Sequence, residues 1–157
     1  FVLTSMLRDV VDRGTGTAVR AAGFRGPAAG KTGTTNDGAD VWFAGYTPEL
    51  VGVVWMGFDE PAPIVRGASG GTLAAPVWAR IMRRVYAGRR MPAAWAPPPG
   101  VLAAEVLRGT GTAVGPGCPA AGPTYTEYFL GAAPPARDCS QPPPLFASLD
   151  TAWVDEE

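Results

Sequence analysis

Residues 29 to 35 read Ala-Gly-Lys-Thr-Gly-Thr-Thr, and this stretch holds the residue types most able to do chemistry. Lys31 is the sole lysine in a chain with thirteen Lys and Arg residues. A compact ammonium does not substitute freely for a planar guanidinium, so a lone Lys between glycines and hydroxyl residues marks a candidate site. The plainer alternative is a surface strand or turn carrying an incidental charge. The surrounding residues decide between them.

Two catalytic motifs share a Gly-Lys-Thr core. The phosphate-binding loop G-x-x-x-x-G-K-[ST] needs a glycine at position 25, where this chain has Arg25. Its lysine must also open a helix whose N-terminus faces the phosphates. Here Gly33-Thr34-Thr35-Asn36-Asp37-Gly38 follows, which is hostile to a helix and favours a turn. The other motif is the K-T-G of penicilloyl-serine enzymes, carried on a strand that lines the acylation cleft. It fits better. Small residues at 28 to 30 allow a substrate backbone to approach closely. Thr32, Thr34 and Thr35 are β-branched and favour a strand.

The elements needed to hold that strand can be read on either side. Residues 2 to 13 place Val2, Leu3, Met6, Leu7, Val10 and Val11 on one helical stripe, and Gly14-Thr15-Gly16 ends it. A further helical turn is expected over 17 to 22. Residues 28 to 35 form the motif strand and Asn36-Asp37-Gly38 a turn. Strands follow over 40 to 46 and 50 to 58, joined by a turn at Thr47-Pro48-Glu49. The third strand is almost continuously apolar, which predicts burial of both its faces. Short connections make the three an antiparallel meander with the Lys31 strand at one end. Such an edge has N–H and C=O groups able to pair with an incoming peptide.

After a loop over 59 to 71, a helix begins at Thr72 or Ala75 with Pro76 in its first turn. Val77, Ile81 and Val85 are expected on its buried stripe, with Trp78 and Met82 beside them and Arg80, Arg83 and Arg84 facing away. Gly88 stops it. The fold class predicted is α+β, an antiparallel sheet packed with helices, filling residues 1–90. A Pro-rich linker at 91–100, a small β-rich extension at 101–140 with strands near 101–107 and 125–130, and a poorly ordered tail at 141–157 complete the chain.

Bulk composition narrows the function. A 157-residue chain with a 46% hydrophobic fraction can bury a core. The net charge of −1 gives no sign of a nucleic-acid partner. The 21 glycines and 17 prolines make it loop-rich, with the excess mostly after residue 88. The sequence contains no histidine, which removes Ser-His-Asp and Cys-His catalysis and most zinc sites; neither metal nor cofactor is expected. Cys118 and Cys139 suit a disulfide and an oxidising compartment, the alternative being two buried thiols. No apolar run reaches the length of a membrane span and no signal peptide is visible. An apolar helical pattern already running at Phe1 suggests a piece of a longer polypeptide.

The ordered series "AGKTGTTNDGADVWFAGYTPELVGVVWMGFDEP" then "GGTLAAPVWARIM" resembles the C-terminal half of the transpeptidase domain of class A penicillin-binding proteins. "FVLTSMLRDVVDRGTGTA" is similar to the segment just before it, and "GPGCP" with "TEYFL…C" to a C-terminal extension of some members. The resemblance implies an acyl-serine enzyme that attacks the D-Ala-D-Ala carbonyl of a peptidoglycan stem peptide and is blocked by β-lactams. It implies that Lys31 brings positive charge to the cleft. Thr34 would offer its hydroxyl to the substrate carboxylate and its backbone N–H to an oxyanion hole. Thr32, Gly33 and Thr35 would line the substrate, Gly33 letting the acyl chain lie close. An extracytoplasmic location, an N-terminal membrane anchor and an upstream glycosyltransferase domain are implied for the parent.

Two parts of the family pattern are missing. S-x-x-K needs a serine three residues before a lysine, and Ala28 stands there; Asn36, the only asparagine, has Thr34 two before it and so completes no S-x-N. The chain is therefore expected to form no acyl-enzyme alone. A serine β-lactamase or D,D-carboxypeptidase shares the K-T-G chemistry. A non-catalytic wall-binding module, using Trp95, Trp153 and the Pro-rich linker, is the reading from another class.

Overall fold

The computed structural model describes residues 1–115, 118, 122–132 and 136. It divides into two compact units, Phe1–Val101 and Leu102–Glu157.

In the first unit, helix α1 (Val2–Asp12) and a short α2 (Ala18–Ala21) precede three strands, β1 (Ala29–Thr34), β2 (Val41–Tyr46) and β3 (Val51–Met56). The sheet order is β1-β2-β3, antiparallel throughout, so the Lys31 strand is an edge as the short connections predict. The β1–β2 turn puts Asp37 and Gly38 at φ 61° and 67°, the left-handed region that Asp and Gly enter most readily. A π-helical turn over Gly70–Ala74 leads into α3 (Ala75–Val85). Ser69 caps that turn: its hydroxyl accepts from the Thr72 N–H, and the Thr72 hydroxyl accepts from the Ser69 N–H, each at 3.1 Å.

The core forms where α3 meets one face of the sheet. Trp78 is only 1% exposed and packs edge-on against Phe24 and Phe43, with ring centroids 5.6 and 5.5 Å apart. Its indole N–H donates to the Gly52 carbonyl at 3.0 Å. A Cβ at Gly45 would stand 2.6 Å from the indole, so this glycine makes the space the ring fills.

Three sequence expectations are corrected here. β3 is not buried on both faces. Val51, Val53 and Trp55 point outward, Val51 being 77% exposed, while Val54 and Met56 pack on the core. Only the inward face meets α3, and strand alternation sends every second residue to the other. On α3 the buried stripe is Ala75, Trp78, Ala79 and Met82, with Ile81 47% exposed. The large indole takes the core position and the alanines beside it bring the helix close. On α1, Leu3 and Met6 are exposed while Ser5 and Val11 are buried.

The Pro-rich stretch after α3 packs within the first unit. Trp95 packs edge-on against Tyr46 at 5.5 Å, and Met91 occupies the space a Cβ on Gly26 would need. In the second unit β4 (Val101–Leu107) pairs with β5 (Thr124–Leu130) as a two-stranded sheet. The Thr124 hydroxyl donates to the Glu105 carboxylate at 2.9 Å. Cys139, Trp153 and the 141–157 tail lie outside the described residues. Among the described residues no helix is long and apolar enough to cross a membrane.

Candidate active-site strand

Strand alternation fixes which groups β1 presents. The Thr35 N–H donates to the Asp40 carbonyl at 3.0 Å, one step beyond the Thr34↔Val41 pair. In an antiparallel ladder, hydrogen-bonded and non-hydrogen-bonded pairs alternate. Lys31 and Gly33 therefore turn their main-chain groups toward β2, while Thr32 and Thr34 turn theirs off the sheet. Among the described residues no strand pairs with that edge.

Side chains divide by the same alternation. Thr32 and Thr34 share the face of Phe43 and Val41, and Lys31 and Gly33 the face of Ala44 and Trp42. Lys31 is exposed and bends round the edge, its ammonium donating to the Thr32 carbonyl at 2.7 Å. Thr34 is exposed, and its hydroxyl accepts from the Gly70 N–H at 3.0 Å. The Thr32 hydroxyl lies 2.8 Å from that of Thr15. The strand thus brings an ammonium, two hydroxyls and the outward N–H of Thr34 to one border. Such a set can hold a carboxylate and an oxyanion side by side.

Two of the residues expected to line the substrate have other neighbours. Thr35 closes the β1–β2 turn, its hydroxyl accepting from the Asp40 N–H at 2.8 Å. Gly33 lies under a tryptophan: a Cβ there would be 3.2 Å from the Trp42 Cβ. A groove of ≈ 610 Å³ elsewhere on the chain, lined by Val77, Arg80, Ile81, Arg83, Arg84 and Ala87, contains none of these residues. Among the described residues no cluster of His, Cys, Asp and Glu could hold a metal ion.

Sequence reasoning missed Thr15, Gly70 and Gly71. A Cβ on Gly70 would fall 2.1 Å from the Trp42 carbonyl oxygen and 2.7 Å from that of Gly33. On Gly71 it would fall 2.2 Å from the Thr15 carbonyl oxygen. The signal was the Gly-Gly pair itself, since adjacent glycines before a helix often mark close backbone contact.

The family model described as penicillin binding protein transpeptidase domain matches residues 2–83. Penicillin-binding protein 1A of Pseudomonas aeruginosa is 41% identical over 146 residues, covering 93% of this chain and 17% of the relative. Penicillin-binding protein 1A of Neisseria lactamica is 45% identical over 89 residues, 57% of this chain and 11% of the relative. The crystal structure of penicillin-binding protein 1A from Haemophilus influenzae superposes with a TM-score of 0.68 at 26% identity, over 86% of this chain and 20% of that one. The chain thus spans a minor part of the relatives it matches. With the α+β fold and the K-T-G edge strand, the family match shows that this chain belongs to the penicillin-binding protein transpeptidase domain family.

Proposed function

We propose that this chain is one wall of a D,D-transpeptidase active site whose acylating serine lies elsewhere in a longer polypeptide. The reaction is cross-linking of peptidoglycan stem peptides: the serine attacks the penultimate D-Ala carbonyl, D-Ala leaves, and an amine of a neighbouring stem peptide takes the acyl group. β-Lactams would trap the same serine. The observation that carries this reading is the edge itself. The Thr34 N–H faces away from β2, beside an exposed Lys31, where a developing oxyanion and a substrate carboxylate could both be met.

Lys31 supplies the positive charge, the Thr34 N–H is one oxyanion-hole donor, and the hydroxyls of Thr32 and Thr34 hold the terminal carboxylate. Accepting from Gly70 leaves the Thr34 hydroxyl its own proton to donate. Thr35 acts by closing the turn that shapes the strand. The parent works on the extracytoplasmic side of a membrane, anchored by an N-terminal segment and carrying a glycosyltransferase domain. Trp95 is engaged with Tyr46, which weighs against a free aromatic wall-binding surface.

A fluorescent penicillin tests the proposal. The full-length protein should become covalently labelled, its Lys31→Ala variant should label far more slowly, and the 157-residue chain should not label. Labelling of the isolated chain, or unchanged labelling of Lys31→Ala, would overturn it. Cross-link formation against simple hydrolysis by the full-length protein separates a transpeptidase from a carboxypeptidase.

A further inference from the structure

We propose that Thr15 is a positioning residue for the carboxylate-binding hydroxyl of Thr32; the inference rests on the role given to β1 above. Thr15 sits in the Gly14-Thr15-Gly16 stop that follows α1. Its Oγ1 lies 2.8 Å from the Thr32 Oγ1, across a sequence gap of 17 residues. One of two hydroxyls at that distance must donate to the other.

The backbone of Thr15 is fixed from two directions. The Gly16 N–H donates to the Val10 carbonyl at 2.7 Å, tying the stop to α1. Gly71 packs so closely on the Thr15 carbonyl that a Cβ there would fall 2.2 Å from its oxygen. The Thr15 hydroxyl therefore arrives at Thr32 already placed.

The direction of donation gives this contact its consequence. Thr32 has an outward carbonyl already holding the Lys31 ammonium at 2.7 Å. If its hydroxyl were free to rotate, its proton could turn to nearby main-chain oxygens. Either hydroxyl can be the donor of this pair; with Thr15 as the donor, the Thr32 proton is released toward the edge, where a carboxylate would accept it. Thr15 acts through Thr32 and touches no reacting atom. Its effect belongs to ligands that carry a negative carboxylate, and not to their esters.

Acylation rates of the full-length protein by benzylpenicillin and by its methyl ester test this, for wild type, Thr15→Val, Thr15→Ser, Thr32→Val and Lys31→Ala. Thr15→Val should slow acylation by the acid about tenfold, leave the slow ester reaction unchanged, and keep the melting temperature. Thr15→Ser should restore the acid rate. An equal loss with acid and ester, or no loss where Thr32→Val and Lys31→Ala both lose acid reactivity, overturns the role of Thr15 alone. Unchanged acid rates in Thr32→Val and Lys31→Ala would remove the reading of the strand as well.

Discussion

The backbone N–H of Gly70 donates to the hydroxyl of Thr34 at 3.0 Å, joining the start of the last helix of the first unit to its edge strand across 36 residues. The contact is possible only because position 70 has no side chain. Trp42 sends its side chain to the opposite sheet face and its partner Gly33 has none, which leaves both peptide groups bare on this one. Gly70 settles on those peptide groups. Gly70→Ala would push a methyl into the Trp42 and Gly33 carbonyls, and backbone cannot rotate away as a flexible side chain can. Destabilisation of about 3 kcal/mol is expected, at the upper end for overpacking, measured as a lowered urea midpoint at constant slope.

The N–H of Thr34 can be separated from its hydroxyl by a pair of substitutions. Thr34→Ala removes the hydroxyl and keeps the N–H; it should slow penicillin acylation of the full-length protein by about tenfold. Thr34→Pro removes the N–H too. Because that N–H points off the sheet, no ladder bond is lost, and proline is tolerated at such edge positions. Proline should therefore slow acylation by a further 10²–10³-fold, roughly the loss of one oxyanion donor, with a melting temperature close to that of Thr34→Ala. Equal rates for the two variants would remove the main-chain role from Thr34.

In the second unit, if Cys118 and Cys139 pair as the sequence leads one to expect, no thiol would be open to a thiol reagent even in denaturant. Titration of the unfolded, unreduced chain should give zero reactive thiols, and prior reduction should give two. On the chain-entropy account, closing that loop would stabilise the unit by roughly 3 kcal/mol. Replacing both cysteines by serine should lower the stability of this unit and leave that of Phe1–Val101 unchanged, which hydrogen exchange can follow unit by unit.

How far the sequence could be read depended on where the covering partner of each residue lies. The β1 edge and the turn at Asn36 to Gly38 were legible, because glycine, threonine and Asp-Gly report on their own backbone. The two faces of β3 were not. Val51 and Val54 are the same residue type, and only α3, packed on one face, distinguishes them. The convergence of Thr15, Thr32 and Gly71 was not legible either. Each is an ordinary loop or strand residue by itself, and the contact joins three separate parts of the chain. The proposed site is the sum of such contacts. Lys31 and the glycines of its own strand stood out in the sequence, while Thr15, Gly70 and Gly71, which pack against that strand and its approach, did not.

The face of α3 can be tested directly, since side-chain hydropathy and structure rank it oppositely. By type, Ile81 is a strong core residue and belongs to the stripe of Val77 and Val85. In the structure it is exposed and Trp78 is buried between Phe24 and Phe43. Trp78→Ala empties a site walled by two rings and leaves the Gly52 carbonyl without its indole donor. A loss of about 3–5 kcal/mol follows for an aromatic removed from a core. Ile81→Ala removes atoms that already meet water, and should stay within about 0.5 kcal/mol of the parent chain. Denaturant titration of the two variants side by side decides the matter. A costly Ile81→Ala with a mild Trp78→Ala would mean that α3 turns its other face to the sheet. Gly70, at the head of the same helix, would then not sit against Thr34.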